Sequence, residues 1–104
     1  MKNSEKCMIL RQLTSTASVS EYYNALEKLG DMKYNYGDYM ITEPIDCHEE
    51  LKRVPEADYD LCCALLTMLL REDHFCNDSF ERRHRAGDVQ PILDRLIALL
   101  ADRE

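Results

Sequence analysis

Apolar residues recur along this chain at helical spacing. The clearest run is Leu61 to Leu70 (Leu-Cys-Cys-Ala-Leu-Leu-Thr-Met-Leu-Leu), in which Thr67 alone is not apolar. A helix apolar around its whole circumference must be wrapped by other elements. The run therefore predicts a central helix from Tyr59 to about Glu72, capped by Asp58. Upstream, Val19, Tyr22, Tyr23, Leu26 and Leu29 share one helical face. Ser18 and Glu21 have capping-box spacing, and Gly30 is placed to stop that helix in a left-handed turn. Downstream, Val89, Ile92, Leu93, Leu96, Ile97, Leu99 and Leu100 trace a broad stripe, with Asp88 before it as a cap. Pro91 fits the first turn, where a missing N–H loses nothing.

Shorter elements fill the intervals. Met8, Ile9, Leu10 and Leu13 mark a short helix within the first fifteen residues. Asp46 caps a helix expected from Cys47 to Val54, ended by Pro55, and Asn77, Asp78 and Ser79 offer a cap for Phe80 to Arg85, ended by Gly87. Residues 31–45 read two ways. Met32, Tyr34 and Tyr36 alternate with polar neighbours, and Gly37-Asp38 could turn the chain into Tyr39–Thr42 as a small β-hairpin spanning 31–42. The alternative is an ordered loop or helical turn. The fold class expected is mainly α: residues 1–104 form a single helical domain, a compact bundle of four to six short helices around the buried 59–72 helix.

Composition narrows the class. No apolar run reaches the roughly 20 residues of a membrane span, and no secretory segment opens the chain, so a soluble protein with no membrane partner is expected. The five cysteines are odd in number and lack CxxC spacing, which points to reduced thiols in a reducing, cytoplasmic setting. The net charge of −7 is concentrated: residues 31–60 hold nine acids against Lys33, Lys52 and Arg53. That field repels phosphate backbones, so direct nucleic-acid binding is disfavoured.

Candidate chemistry is sparse. His74, Cys76 and His84 form the one close His/Cys set, but their H-x-C-x7-H spacing matches no standard zinc pattern. Cys76 and Cys47 each have a histidine nearby without a defined geometry for a nucleophile, and the paired acids Glu49-Glu50 and Glu72-Asp73 read as solvated or capping groups. No catalytic residue, metal site or cofactor is read from the chain. Arg82-Arg83-His84-Arg85 is the single basic cluster, suited to an acidic surface on the same molecule or across a dimer. Tyr34, Tyr36 and Tyr39, with Glu43, Glu49 and Glu50, make a candidate interaction face. Arg71, Asp73, His74, Phe75 and Cys76 make a candidate corner, with Arg71 binding helix-end carbonyls or pairing with an acid, Phe75 folding under the last helix and Cys76 in the core.

The segment Leu65–Phe80 resembles the domain-of-unknown-function family 6508, small bacterial proteins in which an apolar helix ends in Arg-x-Asp/Glu-Arg/His-Phe-Cys/Trp-x-Gly. Arg71, Asp73, His74, Phe75 and Cys76 match, as do Gly87 and Ile92-Leu93-Asp94-Arg95-Leu96. Asp78 stands where the family tends to have Gly, which implies a differently built turn. The resemblance covers about residues 59–100. It implies a bacterial cytoplasmic domain and transfers no catalytic residues.

The function expected is a small non-enzymatic interaction or regulatory module, binding a protein partner through its acidic, tyrosine-bearing face or forming a homo-oligomer through a dimer seam. One alternative is an enzyme, small-ligand or metal-binding protein built on Arg71, Asp73, His74 and Cys76. Another is an inhibitor whose acids mimic a nucleic acid.

Overall fold

The structure, a computed structural model, describes residues 2–13 and 17–102. Among them lie six α-helices: α1 (Asn3–Arg11), α2 (Val19–Leu29), α3 (Cys47–Leu51), α4 (Tyr59–Phe75), α5 (Ser79–Arg85) and α6 (Gln90–Asp102). Two short 3-10 helices, Tyr36–Tyr39 and Val54–Glu56, join them, and no strand occurs among the described residues. None of these helices is long and apolar enough to cross a membrane.

Local chemistry explains most boundaries. Ser18 Oγ accepts the amide of Glu21 at 3.2 Å, and Asp58 Oδ1 accepts that of Leu61 at 2.8 Å. Gly30, at φ 77°, closes α2 with bonds from its own amide to Glu27 O and from Asp31 N to Leu26 O. Gly87, at φ 83°, closes α5 in the same way, its amide on His84 O and that of Asp88 on Arg83 O. Both are Schellman caps, which leave the left-handed residue without a Cβ clash.

In α4, Tyr59 and the unbroken run Cys62–Leu70 are buried, and the helix packs against α2, α3, α5, α6 and the Tyr36–Tyr39 turn. Full burial of each leucine is worth about 1.5–3 kcal/mol. The polar exception is used. Thr67 is 1% exposed; its hydroxyl donates to Cys63 O at 2.8 Å and accepts the amide of Lys33 at 3.4 Å, pinning the 31–35 segment to α4. Other ties are equally specific. Lys6 Nζ and the Tyr59 hydroxyl both reach Asp31 Oδ2, at 2.7 and 2.5 Å. Arg95 Nε donates to Ala57 O at 2.9 Å, fastening α6 to the entrance of α4.

Three expectations need correction here. The 31–42 hairpin does not form, because the amides a strand would offer go to side chains: Lys33 N to Thr67, and Ile41 N and Thr42 N to Glu50. The helix after Asp46 stops at Leu51, not Val54, and Pro55 occupies the first turn of the following 3-10 helix instead of ending α3. The central helix continues past Glu72 to Phe75.

Candidate functional site

The corner after α4 is built by side chains closing backbone ends. Asp73 Oδ1 accepts the amide of Phe80 at 3.1 Å, so the cap of α5 comes from the preceding helix; Asp78, at the N-cap position, makes no side-chain cap bond. Asp78 adopts φ 67°, the left-handed region, the backbone form a glycine favours. Arg82 Nη1 donates to Asn77 O at 3.0 Å.

A two-pronged ion pair lies beside the predicted cluster. Arg83 grips Glu72 with two parallel bonds of 2.7 and 3.0 Å, and its third nitrogen reaches Asp88 Oδ2 at 3.1 Å. The guanidinium holds Glu72 below the usual carboxylate range, and the pair raises Arg83 in turn. The Cys47 thiol lies next to Glu72; burial first, and then this carboxylate, push it up to about 12. Next to this, Tyr22, Phe80 and His84 form a three-ring cluster with centroids 4.9 to 5.4 Å apart, in which Tyr22 Oη lies 3.1 Å from His84 Nε2.

The residues picked from sequence do not converge on one cleft. Asp73 borders a cleft of about 520 Å³ with Val19, Phe80, Glu81, His84 and Arg85, whereas Cys76 borders a separate one of about 310 Å³ with Arg82 and Arg83. His74 is exposed and rests edge-on against Phe75, and Arg71 makes no ion pair among the described residues. Phe75 is 75% exposed instead of folded under α6, and Cys76 is exposed instead of in the core. The reason is shared. The last turn of α4 outruns its packing partners, and the aromatic that turns inward is Phe80, at 1% exposure.

The acidic segment carries a different device. Glu50 has no exposed surface, and its carboxylate accepts the amides of Ile41 (3.0 Å) and Thr42 (2.7 Å), the Thr42 hydroxyl and the Arg53 guanidinium (2.8 Å). Arg53 Nη1 also donates to Tyr39 O at 2.8 Å, and Thr42 Oγ1 accepts the amide of Asp46 at 2.8 Å. Burial alone would raise the Glu50 pKa, but these donors hold it below the usual carboxylate range. Glu50 is therefore a staple, not part of an exposed face. Of the other residues read as that face, Tyr34, Glu43 and Glu49 are exposed, while Tyr36 and Tyr39 are half-buried, Tyr36 against the core. Tyr34 leans toward α2, its hydroxyl 3.3 Å from Glu27.

Sequence reasoning missed what the staple presents. Ile41 is 72% exposed and Ile45 41%, among the exposed acids Asp38, Glu43, Asp46 and Glu49. Two isoleucines flanking Thr-Glu-Pro were the available signal. Among the described residues no set of three His, Cys, Asp or Glu side chains is placed to hold a metal ion.

Comparison with known families matches residues 1–102 to one described as "Family of unknown function (DUF6508)", which carries the resemblance of residues 59–100 back through the N-terminal part. No curated protein and no solved structure matches the chain.

Proposed function

The chain belongs to the DUF6508 family, and we propose that it is a protein-interaction module that docks through the stapled segment 38–49. In this reading the bundle wrapped round α4 is a scaffold and the loop above it is the working part. One observation carries it: a fully buried carboxylate and its arginine hold a loop whose outward side chains are Ile41 and Ile45. Desolvating an ion pair costs several kcal/mol, offset only by good geometry and further hydrogen bonds. A rigid loop loses less entropy on binding, so the staple favours association by preorganisation. Isoleucines ringed by Asp38, Glu43, Asp46 and Glu49 fit an apolar recess with a basic rim.

A photocrosslinking residue at position 41, compared in native cells with one at Met8 (62% exposed on α1), tests this reading. A discrete adduct is expected from position 41 and not from position 8, and it should disappear when Ile45→Asp is added. Equal labelling from both positions, or none from position 41, would refute the docking role.

A further inference from the structure

The partner's chemistry is already present on this chain. Arg83 is engaged by Glu72 and Asp88, but Arg82 and Arg85 are exposed on α5 and pair with no carboxylate among the described residues. Glu43 and Asp46 are likewise exposed and without an ion-pair partner there, and Glu49 pairs with Lys52 at the surface, where such a pair is worth little.

These two patches are neighbours. Cys47, the first residue of α3, lies beside Glu72, and Glu72 bonds Arg83 of α5. Farther along, Leu51 and Lys52 share a cleft with Gly87 and Asp88. The helix that follows the acidic, isoleucine-tipped loop therefore meets α5 through Glu72 and Arg83, and meets the turn after α5 through Leu51 and Lys52. On the arginine side, Cys76 borders the same cleft as Arg82, and the adjoining Phe75 is exposed, an aromatic landing point for an isoleucine.

Adjacent patches of opposite sign become self-complementary under a two-fold rotation, because each patch is carried onto its opposite in the other copy. We propose that the docking partner is a second copy of this chain, with the 41–49 loop of each copy seated on the outer face of α5 of the other. The proposal rests on the docking role of that loop and adds its occupant. A foreign basic protein would satisfy the acidic strip and leave Arg82 and Arg85 unmatched; a second copy answers both. The net charge of −7 opposes association at long range, but at about 0.15 M salt charges are screened beyond ~8 Å, so contact pairs decide.

Sedimentation equilibrium of the full chain tests this with two charge-reversal variants, Arg82→Glu/Arg85→Glu and Glu43→Arg/Glu49→Arg. The wild type should sediment as a dimer. Each variant alone should dissociate at least ~30-fold more readily, since like charges then face each other. An equimolar mixture of the two should recover association, because both contact sets of the mixed dimer are complementary, one as in the wild type and one with the charges exchanged. Helical circular dichroism of each variant checks that it is folded; a misfolded double variant is replaced by Arg85→Glu with Glu43→Arg. A wild type monomeric at ~1 mM, a dimer indifferent to both reversals, or a mixture that stays monomeric would overturn the proposal. If position 41 meanwhile crosslinks a different protein, the docking role survives and the second copy alone is excluded. Without any adduct, both fall.

Discussion

Glu50 accepts the amide proton of Thr42 at 2.7 Å from the far side of a bend that contains Pro44, with no part of Glu50 exposed to water. One buried carboxylate therefore fixes the conformation of a surface loop eight residues upstream. A charge in such a place is tolerated because it receives a guanidinium and three further donors.

Glu50→Ala should destabilise the protein by about 3 kcal/mol, at the lower end of the range for breaking a buried pair. It leaves the Arg53 guanidinium and two amides without their acceptor. Urea denaturation gives the magnitude, and hydrogen exchange should show residues 39–45 losing protection ahead of α4. A variant with the wild-type midpoint would show that the loop is held by something else.

The turn into α5 yields a pair of opposite effects. Asp73→Ala removes the acceptor for Phe80 N and should cost about 1 kcal/mol, the usual loss of a helix cap. Asp78→Gly relieves a left-handed non-glycine residue and should stabilise by a few tenths of a kcal/mol up to about 1. Thermal melts of the two single variants decide it. If Asp78→Gly lowers the midpoint, the aspartate side chain contributes something its position does not reveal.

What the sequence made readable follows from range. The Ser18, Asp46 and Asp58 caps bond amides three residues on, and Gly30 and Gly87 act within one turn, so each could be placed from its neighbours. The apolar circle of 61–70 likewise identified a helix, in which Cys62–Leu70 are buried. The Glu50 staple could not be placed, since its donors lie eight and nine residues back in a segment whose own alternation suggested strands. Phe75 was expected to fold inward from a helix ending near Glu72; α4 runs three residues farther, Phe75 stays exposed and Phe80 is the buried aromatic. Glu72 and Arg83 were both noted in sequence, but their pairing across eleven positions needed the helix-to-helix angle.

Thiol chemistry should be confined to one cysteine. Cys7, Cys62 and Cys63 are buried, and burial pushes the Cys62 and Cys63 thiols up to about 11 and 12. Cys47 is half-buried and raised to about 12, whereas Cys76 is exposed. The thiolate is the reactive form, so native protein at pH 7 should take up one equivalent of maleimide quickly and the other four only on unfolding. Mass spectrometry after a short pulse locates the label. Rapid modification of Cys47 would mean that the packing around it opens readily.

The Tyr22–His84 contact sets a pH dependence whose sign can be worked out. Burial first, and then the Glu21 charge, push Tyr22 up to about 12, so its hydroxyl keeps its proton beside His84 Nε2, 3.1 Å away. Burial also lowers the His84 pKa from its ordinary value of 6.5. The charged groups that border the same cleft are Asp73 from α4, already engaged by Phe80 N, Asp78 from the turn before α5, and Glu81 and Arg85 from α5. A base with a depressed folded pKa takes up its proton more readily when unfolded, so its stabilisation is complete above about 6.5 and declines as the pH falls from there toward the folded value. Asp31, Glu50 and Glu72, all held below the ordinary carboxylate range, lose their contributions only at lower pH, beneath about 4.5. The two windows are separate. Unfolding free energy should therefore fall between pH 7 and pH 5.5 in the wild type, and the slope should flatten in His84→Gln, whose amide can still bond Tyr22 but does not titrate. Equal slopes in the two proteins over that interval would show that His84 is not the group responsible.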